Sequence, residues 1–284
     1  MRMSDLNSIS AEQREQFVSE GYLVLRGVFS AEDSRSWVKA ECARAGYDLD
    51  DPTTWSQPYV RIPTERKEEL SEFAPEAWKA ACDLMGGEER IKGKANISLF
   101  AVNLTQGADK PFEAPSSDSP GWHKDGWHFR HFLDSYEQGL LGIPLLTDVL
   151  PQGGATFIAG GSVGPVARYL ATRPEGVHPN DFPVKELIAD GCTLIEATGK
   201  AGDFYLLHPY MLHAVSQNVL RRPRAISNLL FELKEPMQFD REDGKFSPVE
   251  AAVLRGLGKE RYPFTPAGER YCTPDKGPID ATYR

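Results

Sequence analysis

"DFYLLHPYMLHAVSQNVLRRPRAISNLLFEL", Asp203 to Leu233, is a series of short apolar runs cut by His208-Pro209, Gln217-Asn218 and Arg221-Arg222-Pro223. The runs are rich in Leu, Val, Ile, Phe and Tyr and too short for an ordinary helix, so they read as strands joined by turns. The same pattern precedes them in "ISLFAVNL" (97–104), "GLLGIPLLTDVL" (139–150), "ATFIAG" (155–160) and "CTLIEA" (192–197). Between them "LPQGGA" and "TGKAGD" supply glycines for turns. Regularly spaced short strands point to a sandwich, barrel or jelly roll rather than alternating strands and helices.

Working towards the N-terminus, helix grammar takes over. Ser10 with Gln13 forms a capping box and Gly21 a stop; Ser30 and Gly46 bracket a second helix. Pro75 opens a third, which Gly86 closes, and "YLVLRGVF" (22–29) reads as a strand between helices. Beyond Leu233 one more helix is expected, capped by Ser247 with Pro248 at its first position and Glu250 completing a capping box. No repeat or linker divides the chain. We therefore expect one domain, mainly β with flanking helices: a helix-rich part (1–96), a β core (97–233), and a C-terminal helix and tail (234–284).

The 284 residues suffice for a single large core. A net charge of −9 argues against nucleic-acid or anionic-membrane partners, which call for basic patches. No run reaches the length of a membrane span, and "MRMSDLNSIS" lacks the apolar stretch of a signal peptide. Cys42, Cys82, Cys192 and Cys272 lie far apart with no Cys-x-x-Cys pair, so reduced thiols and a cytoplasmic location are expected. Oligomeric state is not legible.

Chemistry concentrates in "GWHKDGWHFRHF" (121–132), which holds three of the chain's six histidines. His123 and Asp125 stand two positions apart, so on an extended strand they share a face. Alone, such a pair is equally a strand-end histidine beside a surface aspartate. A histidine from 203–233, His208 or His213, completes two histidines and one carboxylate, the facial set of non-haem Fe(II) oxygenases. Zinc hydrolases use similar sets. An arginine inside the barrel separates the two classes, because it clamps a dicarboxylate. Arg224, opening an apolar run, fits that role, while Arg221 and Arg222 read as solvated turn residues.

"WHKDG", "LLHPYMLHAVSQN" followed by "RRPRAIS", "YLVLRGVFS" and "LPQGGATFIAGGSV" together resemble the phytanoyl-CoA dioxygenase family of Fe(II)/2-oxoglutarate-dependent oxygenases. The motifs run in the family's order over nearly the whole chain. The resemblance implies a double-stranded β-helix (jelly-roll) core, with Fe(II) on His123, Asp125 and His213. His213 is preferred to His208 because its eleven-residue distance to Arg224 fits the family. The resemblance further implies 2-oxoglutarate as cosubstrate, held by Arg224 with Asn103 and Ser216 assisting, and O2 as oxidant. Two departures stand out: the family often follows its distal histidine with Gly-Ser, where this chain has Ala214-Val215-Ser216, and Val163 stands where a histidine is common. Trp127 and His131, just past the metal pair, are candidates for the substrate pocket, and His128 for the rim. Trp122, Phe100 and Tyr205 read as core.

The expected activity is oxidation, chiefly hydroxylation, of an unactivated C–H bond in a small metabolite. Desaturation, epoxidation and ring formation stay open, as does a place in secondary metabolism. A CoA substrate would call for basic residues that the sequence does not display. Other readings are a jelly-roll hydrolase or lyase that does not use 2-oxoglutarate, and a non-catalytic metal-binding relative.

Overall fold

Capped helices and short strands alternate along the chain largely where its turn residues dictate. The computed structural model describes residues 8–271. In chain order the elements are α1 (Ala11–Glu20), β1 (Tyr22–Leu25), α2 (Ala31–Arg44), β2 (Tyr59–Glu69), the single turn α3 (Leu70–Phe73), α4 (Pro75–Met85), β3 (Ile91–Lys92), β4 (Asn96–Asn103) and β5 (Leu140–Pro144). There follow β6 (Thr156–Gly160), α5 (Val163–Ala171), α6 (Val184–Ala189), β7 (Thr193–Ala197), β8 (Phe204–Leu207), β9 (His213–Val215), β10 (Arg224–Ile226), β11 (Leu229–Leu233) and α7 (Pro248–Leu257). The capping boxes at Ser10 and Ser247 both form, and Gly21, Gly86 and Gly258 end their helices in the left-handed region.

The stretch from Arg224 to Leu233 joins the sheets into one wall. β10 runs antiparallel to β4, with Arg224 opposite Asn103 and Ile226 opposite Ala101. β11 runs antiparallel to β5, and a bridge between Leu145 and Ile226 carries the same register back to β10. The wall is therefore β2–β4–β10/β11–β5–β8–β1, with β3 paired to the far end of β11. A second wall, β7–β6–β9, gains residue 123 at the free edge of β9 through a bridge between His123 and His213.

The two walls face each other as a double-stranded β-helix. Ala101, Ile143, Leu145 and Ile226 from the first wall share an apolar cluster with Ile158 and Ala197 from the second. Alternation along β4 sends Phe100 and Val102 the other way, into the larger core beneath the helices, where Trp37 of α2 meets Phe100 edge-on at 4.8 Å.

Besides the short α3, β3 and α6, which the sequence reading did not contain, three departures have a plain physical reading. β2 is hidden in sequence by Pro63 and the charged run "ERKEE"; it is the outermost strand of its sheet, and its register breaks between Pro63 and Glu68, where a missing N–H is tolerated. α5 begins at Val163, where the Gly-Gly-Ser reads as a turn after a strand; Pro165 falls in its first turn, where helices accept proline. "RAISNLLFEL" divides into β10 and β11. Cys42, Cys82 and Cys192 are free, and Cys272 lies outside the described residues.

Because Phe100 is wholly buried behind the strand that carries Ala101 and Asn103, Phe100→Ala should cost about 3–5 kcal/mol of unfolding free energy, read by urea denaturation.

Candidate metal and cosubstrate site

His123 and His213 are a hydrogen-bonded antiparallel pair: each backbone N–H donates to the other's carbonyl, at 3.0 and 3.1 Å. Directly opposed residues put their side chains on one face, and here the two imidazole centres lie 4.3 Å apart. Asp125, two positions on, returns to the same place. Its Oδ1 is 3.4 Å from His123 Nε2 and its Oδ2 is 3.6 Å from His213 Nε2. Ligand atoms of all three lie within 4.8 Å of one another. Neighbouring ligands on one metal, at bonds of about 2.1 Å, stand about 3 Å apart, so the triad closes on an ion with little movement.

The surroundings prepare the ligand atoms. His123 Nδ1 lies 2.8 Å from the Gly121 carbonyl, and His213 Nδ1 3.0 Å from that of Met211. Donation to a carbonyl fixes the proton on Nδ1 and leaves the Nε2 lone pairs facing Asp125. His213 Nε2 is buried and has no hydrogen-bond partner. A buried polar atom without a partner is costly, and a metal at this point satisfies it. Burial pushes the His213 imidazole down to about 4, keeping it neutral as a ligand must be. Burial opposes charge on Asp125 too, but His213 and His123 beside it hold its carboxyl well below the usual range.

Arg224 opens β10 and is 1% exposed. Its Nε donates to the Gly154 carbonyl and its Nη1 to that of Ala101 at 3.4 Å, while Nη2 is buried without a partner. Burial lowers its affinity for a proton, and Tyr59 beside it works the other way. A guanidinium fixed at two corners with the third open is arranged to receive an anion. Tyr59 was missed because β2 was; its only sequence signal is the alternation of "YVRI" before Pro63. Tyr59, Asn103 and Arg224 form one row across β2, β4 and β10.

The remaining expected residues divide. Asn103 is wholly buried beside Arg224, but it also staples backbone: its Nδ2 donates to the Ser216 carbonyl and its Oδ1 accepts from Gln106 N–H, both at 3.1 Å. The Ser216 hydroxyl turns to the carbonyl of Gln217. Trp127 is 51% exposed, beside His128. His131, expected at the substrate pocket, lies inside the protein. It is wholly buried, 2.9 Å from Lys124 Nζ and packed against Phe129 and Phe182, and its backbone pairs with Val177. His208 does not join the triad: its Nε2 lies 3.1 Å from the Val249 carbonyl and its Nδ1 accepts from Tyr210 N–H. Arg221 and Arg222 are exposed, and Trp122, Phe100 and Tyr205 are buried.

Three of the buried histidines are held neutral by burial: His213 at about 4, His208 at about 3, and His131 well below its ordinary value. Unfolding restores values near 6.5, so the unfolded chain takes up more protons and their contribution to stability is lost as pH falls from about 6.5 towards those folded values. His123 is shifted the other way: burial opposes its charge, but Asp125 outweighs it. Melting of the metal-free protein should therefore drop between pH 7 and pH 5, less steeply in His208→Asn.

No family model matches the chain. It is 25% identical over 245 residues to an ectoine dioxygenase of Sphingopyxis alaskensis, covering 78% of this chain and 76% of that protein. Among solved structures, that of EctD from S. alaskensis with bound Fe aligns with a TM-score of 0.49 and 22% identity over 83% of this chain and 82% of that one. The 2-oxoglutarate-dependent carbocyclase SnoK of nogalamycin biosynthesis aligns with a TM-score of 0.47 and 14% identity over 94% and 98%. The similarity to the dioxygenase spans about three quarters of both chains, and the three residues grouped as a potential metal site, His123, Asp125 and His213, lie in the motifs that resemble the phytanoyl-CoA dioxygenase family.

Proposed function

We propose that His123, Asp125 and His213 bind Fe(II), that Arg224 holds the distal carboxylate of 2-oxoglutarate, and that the enzyme hydroxylates an unactivated C–H bond of a small molecule. The observation that carries this reading is that two of the buried polar atoms left without a partner, His213 Nε2 in the triad and Arg224 Nη2 on the inner wall, call respectively for a cation and an anion. When bound, iron with 2-oxoglutarate and O2 supplies an oxidant able to take a hydrogen atom from carbon, with succinate and CO2 as coproducts.

The chain's own residues bind and orient. The carbonyls of Gly121 and Met211 fix the histidine tautomers. Gly154 and Ala101 carbonyls hold the guanidinium in place, and Tyr59 stands beside it as a further partner for the same carboxylate. Asn103 ties the strand of Arg224's neighbour to the segment after His213, keeping metal and cosubstrate positions in fixed relation. Asp125 occupies the carboxylate position that a halogenase would leave for halide, so oxygenation is favoured over halogenation. The ectoine dioxygenase supports a small polar metabolite as substrate.

The test is an anaerobic titration with Fe(II) and 2-oxoglutarate, following the weak visible metal-to-ligand charge-transfer band. Wild type develops the band and Asp125→Ala does not. Arg224→Ala still binds iron but needs about a hundredfold more 2-oxoglutarate, the loss expected for a buried charged hydrogen-bond pair. No band in the wild type, or identical cosubstrate titrations for wild type and Arg224→Ala, contradicts the assignment.

A further inference from the structure

The row next to Tyr59–Asn103–Arg224, on the same face of the sheet, is Arg61–Ala101–Ile226. Ala101 and Ile226 belong to the cluster between the two walls. Arg61 lies directly across from Ala101 on the outermost strand, so its side chain leaves β2 on the inner face. Pro63 and the register break follow immediately, and Arg61 is exposed: the inner face opens to solvent here.

The Arg61 side chain has no hydrogen bond or ion pair among the described residues, although acidic residues outnumber basic ones 41 to 32 in the chain. Its neighbours in the same wall differ: Arg66 pairs with Glu68 and Lys92 with Glu232. The cosubstrate leaves it nothing to bind. On the reading above, one carboxylate of 2-oxoglutarate goes to iron and the other to Arg224. The charges of Fe(II) and Arg224 then cancel those of Asp125 and the cosubstrate. Arg61 is a surplus cation on the inner face, one row from Arg224.

We propose that Arg61 binds an oxyanion, carboxylate or phosphate, of the primary substrate and thereby sets which carbon faces the metal. This deepens the oxygenase reading and rests on it. A guanidinium fork suits both anions, and fixing the substrate at one charged end orients a flexible chain without contacts along its length.

The test uses the protein loaded with Fe(II) and 2-oxoglutarate. A panel of small carboxylic acids and phosphate monoesters, each beside its amide or free alcohol, is screened for stimulation of succinate formation. Anions stimulate and their neutral partners do not; which of the two anion classes acts identifies the source. In Arg61→Ala the half-saturating concentration of the stimulating compound rises about ten- to hundredfold, with Arg61→Lys intermediate. The 2-oxoglutarate titration of the charge-transfer band stays at the wild-type midpoint. Stimulation by neutral partners equal to that by anions, no anion acting on the wild type, unchanged saturation in Arg61→Ala, or a shifted 2-oxoglutarate midpoint overturns the proposal. Absence of the band in the wild type contradicts the oxygenase reading itself.

Discussion

Two reciprocal backbone hydrogen bonds, between His123 and His213, set the geometry on which the site depends. They are made at the free edge of β9 by a segment that is otherwise irregular. A pair in this register aims both imidazoles to one side, and a one-residue slip would send one of them to the opposite face. The i, i+2 relation then delivers Asp125 to the same point. Ninety residues of intervening chain are accommodated because the second wall closes over the first, with Ile158 opposite His213 on the other flank of β9.

The electrostatic design follows from where water is excluded. The interior between the walls is apolar, lined by residues such as Ile143, Leu145, Ile158 and Ile226. A buried guanidinium and a buried unpartnered imidazole nitrogen are expensive in such surroundings, and the fold meets that cost by anchoring Arg224 to two carbonyls and leaving one corner open. Behind the triad, Lys124 is buried against Phe129 and Tyr210, and burial lowers it to about 7. It donates to the Asp125 carbonyl, and its Nζ meets His131 Nδ1. His131 thus helps hold the loop after the metal pair in shape, which gives that histidine a packing role.

Residues that act as punctuation, or that stand out by type, were legible in the sequence; residues that matter through register were not. Ser10, Ser247 and Gly86 mark helix ends by local chemistry, and they do so in the structure. That His123, Asp125 and His213 come together could be anticipated because rare residue types stood in a recognisable order, and the burial of Arg224 because it opens an apolar run. Tyr59 and Arg61 were not, since β2 carries a proline and a run of charges that a central strand would exclude; only its place as the outermost strand makes them acceptable. The burial of His131 was hidden for a related reason. An aromatic and histidine-rich segment reads alike whether its rings face solvent or pack inside, and its pairing with Val177 is made by backbone that the sequence does not mark.

The central claim is that three side chains converge on one iron. Anomalous diffraction at the iron edge, from crystals grown anaerobically with Fe(II), tests it directly. The account predicts a single strong peak within about 2.2 Å of His123 Nε2, an Asp125 carboxylate oxygen and His213 Nε2. A peak at other residues, or none at this point with the triad intact, would contradict it.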